Sequence, residues 1–99
     1  ISMNNKVIEY IKANGTQRNP VLSYKITEAT GVGGVAIRRA VNKARCEGIP
    51  ICSCGEGYFY SKDKSQIINT IQSLVNRTIS VEKAVEGLLK TLNTIESEE

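Results

Sequence analysis

Residues Gly33 to Tyr60 set the frame into which the rest of this 99-residue chain must fold. They read GGVAIRRAVNKARCEG and then IPICSCGEGYFY, which predicts an amphipathic helix followed at once by a tight hairpin of two short strands. At roughly 100° per residue, Ile37, Val41 and Ala44 share one helix face, and Gly48 closes the helix. Val35, Arg39, Asn42 and Cys46 fall on the opposite face, with Lys43 on one shoulder and Arg38 and Arg45 on the other. Within this helix no acid precedes Glu47. A surface helix with incidental charge normally mixes its signs. A helix that rests on a core with one face and meets a polyanion with the other has this pattern.

Upstream, Ser23 is placed to cap a short helix from Tyr24 to Thr30, with Ile26 and Ala29 pointing inward. Gly31-Val32-Gly33-Gly34 then makes a tight turn into the longer helix. Helix, glycine-bearing turn and second helix form the helix-turn-helix arrangement, and the hairpin supplies a wing. On the turn ending Gly31-Val32, the run Ile37-Arg38-Arg39, and Gly48-Ile49-Pro50-Ile51 leading to Gly57-Tyr58-Phe59-Tyr60, the chain resembles winged helix-turn-helix domains of bacterial repressors, the N-terminal domain of the biotin operon repressor among them. The resemblance covers residues 4–62. It implies that the helix Val35 to Glu47 enters a DNA major groove. Arg39, Asn42 and Lys43 would then reach base edges or nearby phosphates, and Val35 a thymine methyl. Arg38, Arg45, Lys25 and Lys62 would hold phosphates. The start of the helix, Gly33-Gly34-Val35-Ala36, carries no bidentate donor, so backbone contacts are expected to dominate over base readout. A weaker likeness is to small helix-turn-helix proteins of phages and prophages.

Before this unit, Asn4 to Asn14 reads as a first helix, with Val7, Ile8 and Ile11 at helical spacing, Tyr10 at their border and Gly15 as the stop. Thr16 to Pro20 is a polar loop in which Gln17 and Arg18 are solvated. Val21-Leu22 can pair briefly beside the hairpin. Ile1-Ser2 precede a methionine, so the natural chain is expected to begin at Met3. In the hairpin, Ile49 and Ile51 share a face that closes the core, and Tyr58 and Tyr60 share a side opposite Phe59. The tyrosine pair serves core closure in preference to stacking on bases. The turn is Cys54-Gly55-Glu56-Gly57, and Glu56 would repel a phosphate, so its tip is not expected to enter DNA.

The tail, residues 63–96, carries a different signal. Ile67, Ile71, Leu74, Thr78, Val81, Val85, Leu88, Leu92 and Ile95 follow at alternating spacings of four and three, a coiled-coil repeat. Ile71, Thr78, Val85 and Leu92 take a positions; Ile67, Leu74, Val81, Leu88 and Ile95 take d positions. Ile68, Val75 and Leu89 add a partial stripe at e, which either widens the contact to more than two helices or packs the first turns on the preceding domain. An unbroken helix from Lys64 to Ile95 would be about 48 Å long. Such a helix cannot bury its stripe on a body of some sixty residues, so a second copy is expected to cover it. The phase runs through Asn76 to Ser80 without a slip, which favours one helix over a hairpin capped by Ser80. Charges at e and g are too few to fix strand orientation.

The charge divides in the same place. Residues 1–62 hold nine Lys and Arg against four Asp and Glu, +5, and residues 63–99 hold four against six, −2. Nucleic acid is expected to meet the front only. No apolar run of membrane-spanning length and no secretory pattern occurs, so the expected location is cytoplasmic. With no histidine, no phosphate-cradling loop and no carboxylate pair in a cleft, neither an enzyme nor a cofactor is expected. Cys46, Cys52 and Cys54 lack a fourth ligand for zinc and read as free thiols, not as a metal site, with Cys46 the most open to alkylation. The fold class expected is mainly α with a small hairpin (α+β), a winged helix-turn-helix followed by a long coiled-coil helix. The function expected is a dimeric DNA-binding protein, a bacterial or phage transcriptional regulator or mobile-element factor. A protein-interaction adaptor within a replication or regulatory complex is the alternative.

Overall fold

The computed structural model describes residues 3–98; Ile1 and Ser2, read as preceding the natural start, lie outside them. The elements in order are α1 (Met3–Asn14), α2 (Ser23–Thr30), α3 (Gly34–Cys46), β1 (Ile51–Cys54), β2 (Gly57–Tyr60) and α4 (Lys64–Glu98). The chain is thus mainly helical, with a two-stranded antiparallel hairpin and one long C-terminal helix.

One apolar cluster joins the first five elements. Val7, Ile8 and Ile11 of α1 meet Ile26 of α2, Ile37, Ala40, Val41 and Ala44 of α3, and Val21, Val32 and Ile51 from the segments between and after them. The α2–α3 turn is closed by hydroxyls. Thr27 donates to the Val32 carbonyl at 2.8 Å and Thr30 to the Ile26 carbonyl at 2.6 Å, while Gly31 takes the left-handed conformation (φ 77°) that ends α2. The extended residue before α2 is Leu22, with no side-chain cap. Ser23 is therefore the first helical residue and not the cap expected. Ala29 is exposed and not inward, bordering an open groove between α2 and α1 with Lys6, Glu9 and Tyr10. The end of α3 is a Schellman motif: Gly48 has φ 87°, its amide donates to the Arg45 carbonyl at 3.0 Å, and the Ile49 amide donates to the Ala44 carbonyl at 3.0 Å. That reversal sends the chain directly into the hairpin.

The strands pair Ile51 with Tyr60, Cys52 with Phe59, Ser53 with Tyr58 and Cys54 with Gly57. Val21 joins the outer edge of β2, exchanging amide and carbonyl with Tyr58 at 2.8 and 2.9 Å, the brief pairing expected of Val21-Leu22 being limited to this one bridge. Ile51 faces the main cluster, and Ile49, Tyr58 and Tyr60 pack against it half-buried, so the tyrosines close the core. By alternation Cys52 and Phe59 face the other way, and both are buried. The start of α4 lies against β1. Thr70 is buried there, donating to the Gln66 carbonyl at 3.0 Å and accepting from the Ser53 amide at 3.3 Å, which occupies an otherwise open strand edge.

Asp63 caps α4. One carboxylate oxygen accepts from the Ser65 amide at 2.9 Å and the Ser65 hydroxyl at 2.8 Å. Those bonds, the hydroxyl's first, hold the carboxyl below its usual range, so the cap is intact at neutral pH and is lost as pH falls through that lowered value. From there α4 runs 35 residues without interruption, giving a molecule 57 Å along its longest axis. Ile67 and Leu74 are half-buried against their own subunit, so these two belong partly to the intramolecular contact and not wholly to the seam expected of them. Past Leu74 the apolar positions Val81, Val85, Leu88, Leu92 and Ile95 are exposed, Leu88 by 71 %.

Gly57 marks the tightest point of the hairpin. At φ 132° it adopts a conformation foreign to L side chains, and a Cβ there would collide with the Val21 carbonyl. Gly57→Ala is expected to cost at least about 3 kcal/mol in urea unfolding. Gly31→Ala, with open space around it, should cost about 1–2 kcal/mol. Equal losses would mean that the Val21–Tyr58 bridge does not hold this corner.

Candidate nucleic-acid interface

Because Ile37, Ala40, Val41 and Ala44 take the inward side of α3, geometry assigns the outward side to Val35, Arg38, Arg39, Asn42 and Cys46, and all five are exposed. Arg38 and Arg39 have no hydrogen-bond or ion-pair partner among the described residues. Their charge is therefore not spent within the chain. The glycines at the start of α3 leave its first amides accessible, since Gly33 caps the helix by backbone conformation alone. The positive end of the helix dipole together with Arg38 and Arg39 thus gives the N-terminal half of this surface one sign.

Lys43 is exposed but sits on the α1 side of the helix, bordering a shallow groove with Asn5, Glu9, Lys12 and Glu47. It neighbours Arg39 in sequence spacing, yet faces a region of mixed charge. Lys25 is exposed on α2 with its ammonium 6.0 Å from the Tyr24 ring centre, and Lys62 is exposed where the hairpin ends. Both remain available at the periphery.

Arg45 departs from its expected position. It is half-buried, its Nε donating to the Ile51 carbonyl at 2.7 Å and an Nη2 hydrogen to the Ser53 hydroxyl at 3.1 Å. It therefore ties α3 to β1 and is not a free flanking cation. The physical reason is the Schellman reversal, which folds β1 back alongside the last turn of α3. Burial pushes the guanidinium pKa below its ordinary value, and the group remains charged at neutral pH.

Two residues important here carried no sequence signal as such. Thr70 falls at a g position of the heptad pattern but supports β1 from α4. Arg77, also at g, borders a cleft with Arg45, Ser23, Ser53 and Gly55. Both depend on the angle at which α4 crosses the hairpin, which periodicity does not encode.

The thiols are free: Cys46 and Cys54 exposed, Cys52 buried. Among the described residues no three His, Cys, Asp or Glu side chains gather as a metal site, and no helix is long and apolar enough to cross a membrane. No protein-family model matches the chain, and no curated protein or solved structure matches it at a significant level.

Proposed function

We propose that this chain is a winged helix-turn-helix protein that binds double-stranded DNA through the outward face of α3 and pairs with a second copy through the free length of α4. The observation that carries the reading is the division of α3 into a filled aliphatic side and an exposed side bearing Arg38, Arg39 and Asn42. A helix of this shape fits a major groove, and its unpaired cations suit phosphates. Its biological role is that of a transcriptional regulator or a DNA-binding factor of a phage or mobile element. Pairing through α4 follows from the exposed heptad positions beyond Leu74, which nothing in the same chain covers among the described residues.

The adaptor reading retains two specific observations: the uncharged Gly33-Gly34-Val35-Ala36 start of the helix, and Glu56 exposed at the hairpin tip. Salt separates them. Six to eight phosphate contacts in a dimer give a slope of about −5 to −7 in log K against log[salt] for duplex DNA. Arg38→Ala with Arg39→Ala, which removes two cations from each protomer, should flatten that slope by about 3 to 4 without moving the unfolding midpoint. A flat response of the unaltered protein would favour the adaptor.

The seam has its own test. Leu88→Glu with Leu92→Glu is expected to give monomers by sedimentation and to weaken binding to long duplexes, while the head stays folded. The same oligomer in the variant would refute pairing through α4.

A further inference from the structure

Three elements converge beside the hairpin on a cleft of about 240 Å³ lined by Leu22, Ser23, Arg45, Ser53, Gly55 and Arg77, with Tyr58 at its wall. We propose that this cleft is an oxyanion site which takes a phosphate group between Arg45 and Arg77. For the source of that phosphate in DNA, the assignment rests on the reading of the chain as a DNA-binding protein.

The chemistry is that of two guanidinium groups brought together by separate elements, α3 and α4, with no acid among the residues lining the cleft. Like charges do not gather without an opposing cost, and the Arg77 charge also works against ionisation of Arg45. A bound anion removes that conflict. Arg45 is already held in place: its bonds to the Ile51 carbonyl and the Ser53 hydroxyl fix the plane of the fork and leave its other N–H groups uncommitted. A preset fork loses little freedom when it engages an oxyanion in paired hydrogen bonds. Arg77 is exposed and free to close over the ligand.

The remaining wall adds donors. Ser23 and Ser53 bring hydroxyls, and Leu22-Ser23 is the start of α2, whose first amides have no side-chain cap. Glu56 lies in the turn between Gly55 and Gly57, outside the lining, and sets a repulsive limit on the tip side. The site places a phosphate contact on α4 beyond the turns that brace β1.

The test uses the full chain and two probes. Inorganic phosphate, titrated against chloride at constant ionic strength, should shift the Ser23, Ser53 and Gly55 amides in a saturable way. Arg77→Gln should weaken that response about tenfold, and Arg77→Lys should restore part of it. With duplex DNA, Arg77→Gln should reduce the salt slope by about 1 per protomer, equally for all duplex sequences. Phosphate shifts with an unchanged slope would assign the site to a free phosphate and overturn the DNA contact. Phosphate shifts without any duplex binding would overturn the DNA reading and leave the site. No phosphate shifts, with duplex bound and the slope unchanged, would overturn the site and leave the DNA reading.

Discussion

The packing of α3 against α1 and α2 governs the head of this molecule. Ile37, Ala40, Val41 and Ala44 are each almost fully removed from water, and their partners Val7, Ile11 and Ile26 are likewise buried. A helix with four such positions has one rotation about its own axis that satisfies them. That rotation sends Arg38, Arg39 and Asn42 outward without any specific interaction to hold them there. The Schellman turn at Gly48 then fixes where the hairpin begins, and the hairpin immobilises Arg45. The exposed cations are thus a consequence of the core and need no local support.

The second dependence is the root of α4. A two-stranded hairpin is marginal by itself, and this one is held on one edge by Val21 and on the other by Thr70. Cys52 and Phe59, on the face turned from the main cluster, are buried all the same. The first turns of α4 therefore complete the head, while its later turns leave it. A helix of this length exposed on all sides gains little from propensity alone, and its apolar stripe calls for a packing surface. Head and stalk share one continuous helix, so the angle between a paired stalk and its two heads would be rigid.

Much of this was legible in the residues. Aliphatic spacing in α3, the Gly48 stop, the alternation in Ile51 to Tyr60, and the unbroken phase from Ile67 to Ile95 all translate directly into the elements found. What periodicity could not supply was the relation between elements. Arg45 shares a helix face with Arg38 on a wheel, but the wheel contains no β1. Ile67 and Leu74 fit the heptad seam as well as Leu88 does, yet they lie where the stalk still touches the hairpin. Ser23 is a good cap by type, whereas the chain becomes helical one residue earlier, after an extended Leu22. Asp63 and Ser65, by contrast, form a cap whose spacing was available in the sequence.

In the proposed complex the outward side of α3 meets duplex DNA. The most direct measurement is an amide chemical-shift map of the full chain as a short duplex is added at moderate salt. The largest changes should run through Gly34, Val35, Arg38, Arg39 and Asn42, with smaller ones at Ser23 and the hairpin. Saturable changes confined to α1 and to the exposed stripe of α4, with α3 unmoved, would contradict it.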